Sequence, residues 1–166
     1  MSYQKPSFET KICPPDVLAS RLNSIARPLV FTNGVFDLLH RGHVTYLDQA
    51  RALGASLLVA LNGDASAKRL GKGADRPVNT LQDRLAVIAA LACVDLVTWF
   101  DEDTPLSLIL ISRPNVLVKG GDWKPAEMVG AKEVNSWHGS VHSIPFAFER
   151  STTATLKRIR ASEEPS

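Results

Sequence analysis

Between residues 28 and 160, short apolar runs alternate with stretches in which apolar residues recur every three or four positions. The short runs are PLVFTN (28–33), SLLVALN (56–62), DLVTWF (95–100), VLVKGGDW (116–123) and GSVHSIPF (139–146). Near-continuous apolar character, clearest in SLLVALN, is what a parallel strand buried on both faces requires. Between these runs, GHVTYLDQARALG (42–54) reads as a helix with Gly54 as its C-cap. TLQDRLAVIAALA (80–92) reads as a second, with Thr80 and Asp83 in a capping-box arrangement and Leu81, Leu85, Ile88 and Ala92 on one face. Thr104-Pro105 starts a third, and Pro114 lies in the linker after it. STTATLKRIRA (151–161) is a fourth, its hydroxyls at the start and its basic residues near the end, as the helix dipole favours. This alternation predicts a single α/β domain, a five-stranded parallel sheet covered by helices on both faces. Residues 1–27, with Pro6, Pro14 and Pro15, read as an N-terminal arm and helix, and 161–166 as a flexible tail around the 28–160 domain.

Composition narrows the functions open to such a domain. With 166 residues, 45% of them hydrophobic, the chain supports one core and leaves no room for a second catalytic domain. A net charge of +2 is too weak for a nucleic-acid or membrane footprint spread over the surface, so neither partner is expected. Cys13 and Cys93 are isolated, which suits a reducing, cytoplasmic compartment; Cys93 reads as a core residue and Cys13 as incidental. No stretch is long and apolar enough to cross a bilayer.

In open parallel sheets, ligands collect at the loops following the strands. The first such loop, TNGVFDLLHRGH (32–43), holds two of the four histidines, His40 and His43, around Gly42. They could belong to a metal site, a phosphate site or a packed helix start. Zinc needs a third and usually a fourth protein ligand, and His138 and His142 have no evident reason to reach this loop. Simple packing explains neither the glycine nor the pairing. A phosphate accounts for all of it, because a helix N-terminus offers N–H groups and a favourable dipole, glycine permits close approach, and imidazoles donate to phosphoryl oxygens.

The loop GVFDLLHRGH resembles the HxGH signature of the cytidylyltransferase-like nucleotidyltransferases, and ERSTT before the last helix resembles their second, hydroxyl-rich signature. VALNGDASAKRL, RPVN, DRLAVIAAL, VDLVTWFDEDTP, LVKGGDWKP and GAKEV extend the resemblance, over residues 28–160, to the D-glycero-β-D-manno-heptose 1-phosphate adenylyltransferase branch. The resemblance implies a Rossmann-like, doubly wound domain. It implies adenylyl transfer from ATP to a heptose 1-phosphate, giving ADP-heptose and pyrophosphate for lipopolysaccharide core assembly. It also implies a stand-alone form, since the chain is short for a fusion to the heptose kinase, with a separate kinase and phosphatase in the pathway, and a homodimer.

Such chemistry joins two polyanions, so it depends on donors positioned before the reaction begins. His40 and His43 are assigned to the triphosphate, His43 as the better candidate for stabilising the transition state. Phe31, Thr32, Asn33, Gly34, Val35 and Phe36 are expected to cradle the nucleotide, Gly34 allowing the tight turn. Lys72, in the glycine-flanked GKG, is placed to close over the phosphates, with Lys68 and Arg69 as rivals and a solvated loop charge as the plain alternative. Arg84 resembles a position that supports the site in relatives; it and Arg76 could equally form surface ion pairs. Asp37 either holds sugar hydroxyls or a magnesium-bound water, or caps its own turn. Lys119 and Asp122 are expected to flank the substrate, Gly120 and Gly121 to let backbone approach the nucleotide, and Trp123 either to stack on a ring or to close a core edge. Ser151 is read as a cap that also meets the nucleotide, Thr152 and Thr153 as donors to the outer phosphates. Mg²⁺ is expected on the triphosphate rather than in a protein cage. A related transferase, such as a glycerol 3-phosphate cytidylyltransferase, and a non-catalytic nucleotide-binding module are the alternatives.

Overall fold

The computed structural model describes residues 4–71, 73, 76–148 and 151–163. Strands β1 (Leu29–Gly34), β2 (Ser56–Asn62), β3 (Leu96–Phe100), β4 (Val116–Gly120) and β5 (Ser140–Ile144) form one parallel sheet in the order β3-β2-β1-β4-β5. Successive side chains on a strand point to opposite faces, so every inner strand feeds two cores. Leu29 and Phe31 join Leu58, Ala60, Leu96 and Leu117 on one face, while Val30 joins Leu57, Val59, Leu61, Val97, Val116 and Val118 on the other. This two-sided burial is why β2 is buried at every position.

Helices α2 (Arg41–Arg51) and α4 (Leu81–Ala89) cover the second face through Tyr46, Leu47, Ala50, Leu85, Ile88 and Ala89. Helices α1 (Leu18–Leu22), α5 (Leu106–Ser112) and α6 (Ala131–Ser136) cover the first through Leu18, Leu22, Leu108, Ile109, Ala131 and Val134. Helix α3 (Asp64–Arg69) follows β2 directly, and α7 (Thr152–Glu163) ends the described chain.

Several boundaries differ from the sequence reading. Helix α2 stops at Arg51 with Ala52 as C-cap. Gly54 serves a different purpose there: a Cβ on it would lie 2.5 Å from the Pro28 carbonyl oxygen. That carbonyl accepts the Ala55 amide at 2.8 Å, which locks the turn into β2. Thr80 caps α4 as expected, its hydroxyl accepting the Asp83 amide at 3.3 Å, but the helix ends at Ala89 and Ala92 is exposed. Helices α3 and α6 are six residues each, too short to display a period, and the sequence pattern announces neither.

Residues 4–27 contain the expected helix, α1, but the rest packs against the sheet instead of standing off as an arm. The Cys13 amide donates to the Val97 carbonyl at 2.8 Å, Ile12 bridges to Val97, and Cys13, Leu18 and Leu22 are buried in the core. Strand β3 is the sheet's edge, and this segment covers part of its exposed backbone. Cys13 is therefore a core residue, while Cys93 is only half-buried. At the other end α7 continues to Glu163, so 161–163 are helical rather than tail, and 164–166 lie outside the described residues.

The strand order reverses between β1 and β4, the topological switch point of such a sheet. There β1 pairs with β2 from Leu29 through Gly34, but with β4 only at Val30↔Val116 and Phe31↔Leu117. Beyond those pairs the two strands part and a crevice opens.

Candidate active site

The crevice encloses about 550 Å³, within the range of small-molecule sites. Asn33, Gly34, Val35 and Phe36 line it from the end of β1, and Lys119, Gly120 and Trp123 from the end of β4. His43 and Tyr46 enter from α2, Phe146 from the loop after β5, and Thr152 from the start of α7. Phe36 is left-handed, with φ 48°, and its ring folds back over Gly34, where a Cβ would sit 3.0 Å from Phe36 Cε2. A bulky residue held in that region costs roughly 1–3 kcal/mol, a strain characteristic of functional turns.

His40 is the N-cap of α2, with φ −141° and ψ 169° and no capping bond from its side chain. Its ring instead stacks on His43, centroids 3.8 Å apart and planes 19° from parallel. His43 in turn meets the edges of Phe36 at 5.4 Å and Phe146 at 6.2 Å. Gly42 makes this possible: a Cβ there would be 3.1 Å from the His40 ring and 3.3 Å from the Phe148 carbonyl. Burial holds His40 below its ordinary pKa, so the neutral imidazole is favoured, and its Nδ1 has no hydrogen-bond partner among the described residues. Among the described residues no three His, Cys, Asp or Glu converge as metal ligands, and His142 is occupied with Ser140 at 3.0 Å.

Beneath the crevice, two buried charges tie its loops together. The Asp37 carboxylate accepts Arg76 Nε at 2.5 Å, the Val78 amide at 2.9 Å and the Asn79 amide at 3.0 Å. Burial works against its ionisation, but the Asn79 and Val78 amides and the Arg76 guanidinium outweigh it and hold its pKa below the ordinary value. Arg84, 1% exposed, donates to the carbonyls of Val35 (2.7 Å), Asn62 (2.9 Å) and Asn79 (3.2 Å) and to Asp64 (2.7 Å). One guanidinium thus holds the ends of β1 and β2 against the start of α4.

Residues 31–163 match the family model described as cytidylyltransferase-like. The chain belongs to the cytidylyltransferase-like family. It is 57% identical to the D-beta-D-heptose 1-phosphate adenylyltransferase of Bordetella bronchiseptica, over 92% of this chain and 96% of that protein. It is 52% identical to the bifunctional protein HldE of Hahella chejuensis over 80% of this chain, a match that spans only 28% of HldE. Among solved structures, the lipopolysaccharide core biosynthesis protein of Thermoplasma volcanium superposes with a TM-score of 0.59 at 27% identity, covering 74% of this chain and 98% of that one. A pantoate-beta-alanine ligase of Francisella tularensis shares the fold alone, with a TM-score of 0.54 at 16% identity, over 86% of this chain and 68% of that one.

Within this cytidylyltransferase-like fold, the expected residues divide into those that meet the crevice and those that support it. Asn33, Gly34, Val35, Phe36, His43, Lys119, Gly120, Trp123 and Thr152 line it, with His40 stacked behind His43. Phe31 does not: it is fully buried in the core, since its position in β1 points it away from the edge. Thr32 is also wholly buried and bonds to Tyr46. Asp37 lines the wall but anchors RPVN instead of offering its carboxylate to a sugar or a magnesium-bound water. Arg84 touches loops, not the crevice, because it is spent on their carbonyls. Ser151 is a cap, its hydroxyl accepting the Ala154 amide at 3.1 Å; Thr153 and Asp122 are exposed and outside the lining. Gly120 admits the Phe146 ring, whose Cζ would lie 2.8 Å from a Cβ there. Trp123 is half-exposed at the mouth, with Lys119 Nζ 5.5 Å from its ring centroid. Arg69 is held by Asp103 at 2.7 Å, Lys68 is exposed, and Lys72 lies outside the described residues. Sequence reasoning missed Tyr46 and Phe146. Tyr46 stands three residues from His43 on the same helical face, a spacing that could have found it. Phe146 had no such signal, being brought in by the turn after β5.

Proposed function

We propose that the chain transfers an adenylyl group from ATP to D-glycero-β-D-manno-heptose 1-phosphate, releasing pyrophosphate and giving ADP-heptose for lipopolysaccharide core synthesis. One observation carries the transferase reading: His43, behind which His40 is stacked, and Thr152 face one switch-point crevice from the N-terminal ends of two helices, α2 and α7. Two helix N-termini and their donors suit a chain of phosphates better than any neutral ligand. The choice of ATP and heptose 1-phosphate is supported by the 57% identity to the Bordetella adenylyltransferase.

In the proposed reaction an oxygen of the sugar phosphate attacks the α-phosphorus of ATP, the bond to the bridging oxygen breaks, and pyrophosphate leaves with the electron pair. Asn33 to Phe36 cradle the nucleotide from the β1 side, while Lys119 brings positive charge from the β4 side. His43 donates toward the phosphoryl oxygens, where charge builds in the transition state, and the Thr152 hydroxyl, which rests on the Leu38 carbonyl at 3.3 Å, turns to them when the nucleotide binds. His40, stacked on His43 and favoured neutral, fixes the ring plane without adding a repelling charge. Lys72 is assigned to closing over the phosphates. With Asp37 engaged by Arg76 and no convergent ligand group among the described residues, Mg²⁺ would ride on triphosphate oxygens and waters, neutralising phosphoryl charge.

The same proposal includes a homodimer, a cytoplasmic location, and a separate heptose kinase and phosphatase in the pathway. Two free cysteines are in keeping with a reducing compartment, and no helix among the described residues is long and apolar enough to cross a membrane. Pyrophosphate release, measured with Mg²⁺ across ATP, CTP, GTP and UTP against heptose 1-phosphates and glycerol 3-phosphate, tests the reaction. Turnover is expected with ATP and a heptose 1-phosphate. Silence in that pair would refute the assignment, and turnover only with CTP and glycerol 3-phosphate would replace it.

A further inference from the structure

Phosphate binding leaves one buried group of the crevice unexplained, the Tyr46 phenol. The ladder between β1 and β4 ends after Phe31 and Leu117, yet the strands continue to Gly34 and Gly120. In that unpaired stretch the Tyr46 hydroxyl is hydrogen-bonded to Thr32 Oγ1 and donates to the Val118 carbonyl at 3.4 Å. A phenol has one proton to give. Either hydroxyl can donate across the Thr32–Tyr46 contact, and the phenol also meets the Gly120 backbone, so with its proton on Thr32 or on Val118 one chain of bonds crosses from β1 to β4. Burial pushes the phenol's pKa well up, so the crossing is uncharged at neutral pH. The ring packs as well, meeting Phe146 edge-on at 5.8 Å.

A second crossing runs from Lys119 Nζ to Asn33 Oδ1 at 3.1 Å. It differs in kind. Lys119 carries a mobile positive charge at the wall of a site for polyanions, so a phosphate competes with Asn33 for it. Tyr46 is neutral and 3% exposed, and its hydroxyl is held by protein groups, not by a charge that a phosphate would draw away.

We propose that Tyr46 is a positioning residue that sets the width of the β1–β4 crevice, its hydroxyl replacing the absent strand ladder. Asn33 to Phe36 and Lys119 to Gly120 then face the nucleotide at one fixed spacing. In-line transfer is sensitive to that spacing, since misplacement by about 1 Å costs on the order of a hundredfold in rate. The kinetic consequence rests on the nucleotidyl-transfer reading; the structural one does not.

The test uses Tyr46→Phe, which keeps the ring and loses the bridge, Thr32→Val, which removes the bridge's other end, and Thr32→Ser, which keeps a hydroxyl. Expected is a fall of about ten- to a hundredfold in kcat for Tyr46→Phe and Thr32→Val. KM for the sugar phosphate stays within about twofold, and Thr32→Ser retains wild-type kcat. Both losses cut one chain of bonds, so the double variant Tyr46→Phe/Thr32→Val is no worse than the poorer single one. Hydrogen exchange, which needs no turnover, is expected to quicken in both variants at the amides of residues 33–35 and 118–120 while β3 is unchanged. Unaltered kcat with unaltered local exchange would overturn the proposal, as would additive losses in the double variant. Should Tyr46→Phe fail to fold, Thr32→Val reads the same bridge. Should the wild type not turn over ATP with heptose 1-phosphate, the functional reading falls, and the exchange data alone decide the bridge.

Discussion

The imidazoles of His40 and His43 lie face to face, 3.8 Å between centroids and 19° from parallel. Stacked rings at that distance cannot both be protonated without strong repulsion, and burial already disfavours the charged form of His40. His43, facing the crevice, is the ring placed to donate. His43→Ala is therefore expected to lower kcat by about a hundred- to a thousandfold while ATP affinity changes little. Steady-state kinetics with equilibrium ATP binding check this; a change confined to KM would remove the transition-state role.

His40 also makes a pH prediction. Its folded pKa lies below the ordinary value of 6.5, so between those two values the unfolded chain binds more protons than the folded one. Stability from this group accordingly falls as pH drops through 6.5, and the loss is complete below the folded pKa. Urea unfolding followed from pH 7.5 to pH 5 is expected to show this slope in the wild type and a shallower one in His40→Gln, about one titrating group fewer. Equal slopes would mean that another group carries the effect.

The buried Asp37–Arg76 pair holds the RPVN segment, next to the loop that contains Lys72. Asp37→Asn leaves the Arg76 charge buried without a counter-charge, and the expected loss of stability is about 3–5 kcal/mol, measured by denaturant unfolding. Because the Asp37 pKa is depressed, its stabilising contribution is present above the unfolded pKa and disappears as pH falls through the folded one. Acid titration of the variant should lack that component.

Arg84 is a support, not a ligand. Arg84→Met conserves bulk but strands the carbonyls of Val35 and Asn62, while water replaces the guanidinium at the exposed Asp64 carboxylate, for an expected cost of about 3 kcal/mol. Arg84→Lys, a point charge without the planar fork, is expected to recover less than half of that, about 1 kcal/mol. Full recovery by lysine in thermal or urea unfolding would contradict the fork geometry.

Gly120→Ala pushes on the Phe146 ring, whose Cζ lies 2.8 Å from the new Cβ. Phe146 is 42% exposed, so it is free to yield, and the expected change is in the crevice rather than in folding. KM for the nucleotide should rise about tenfold, with less than about 1 kcal/mol lost in stability. The double change Gly120→Ala/Phe146→Leu is expected to restore KM; if it does not, the glycine serves the nucleotide or the Tyr46 ring, 3.3 Å from the same Cβ.

Much of this was legible along the chain because local chemistry decides it. The two-sided apolar runs announced a parallel sheet, Thr80 announced the start of α4, and the glycine between two histidines announced a helix start at the edge of the crevice. Where reading failed, distant contacts decided. Gly54 looks like a helix cap, yet it is required by the Pro28 carbonyl pressing on it from β1's approach. The proline-rich first residues look like an arm, yet Cys13 meets Val97, 84 positions away, at the sheet's edge.

The division of labour is clearest at the crevice. Sequence by itself determined which donors are available and on which strand-end loops they sit, since the type and spacing of His40, Gly42, His43 and Thr152 are set by the chain. Only the tertiary structure decided which of the neighbouring polar residues line the crevice and which tie its loops together. Asp37 and Arg84 have the chemistry of ligands, but Arg76 closes on the one and the carbonyls of Val35 and Asn62 on the other, so both hold loop backbone in place. That outcome depends on strands ordered β3-β2-β1-β4-β5, a pairing between distant segments that no local pattern encodes.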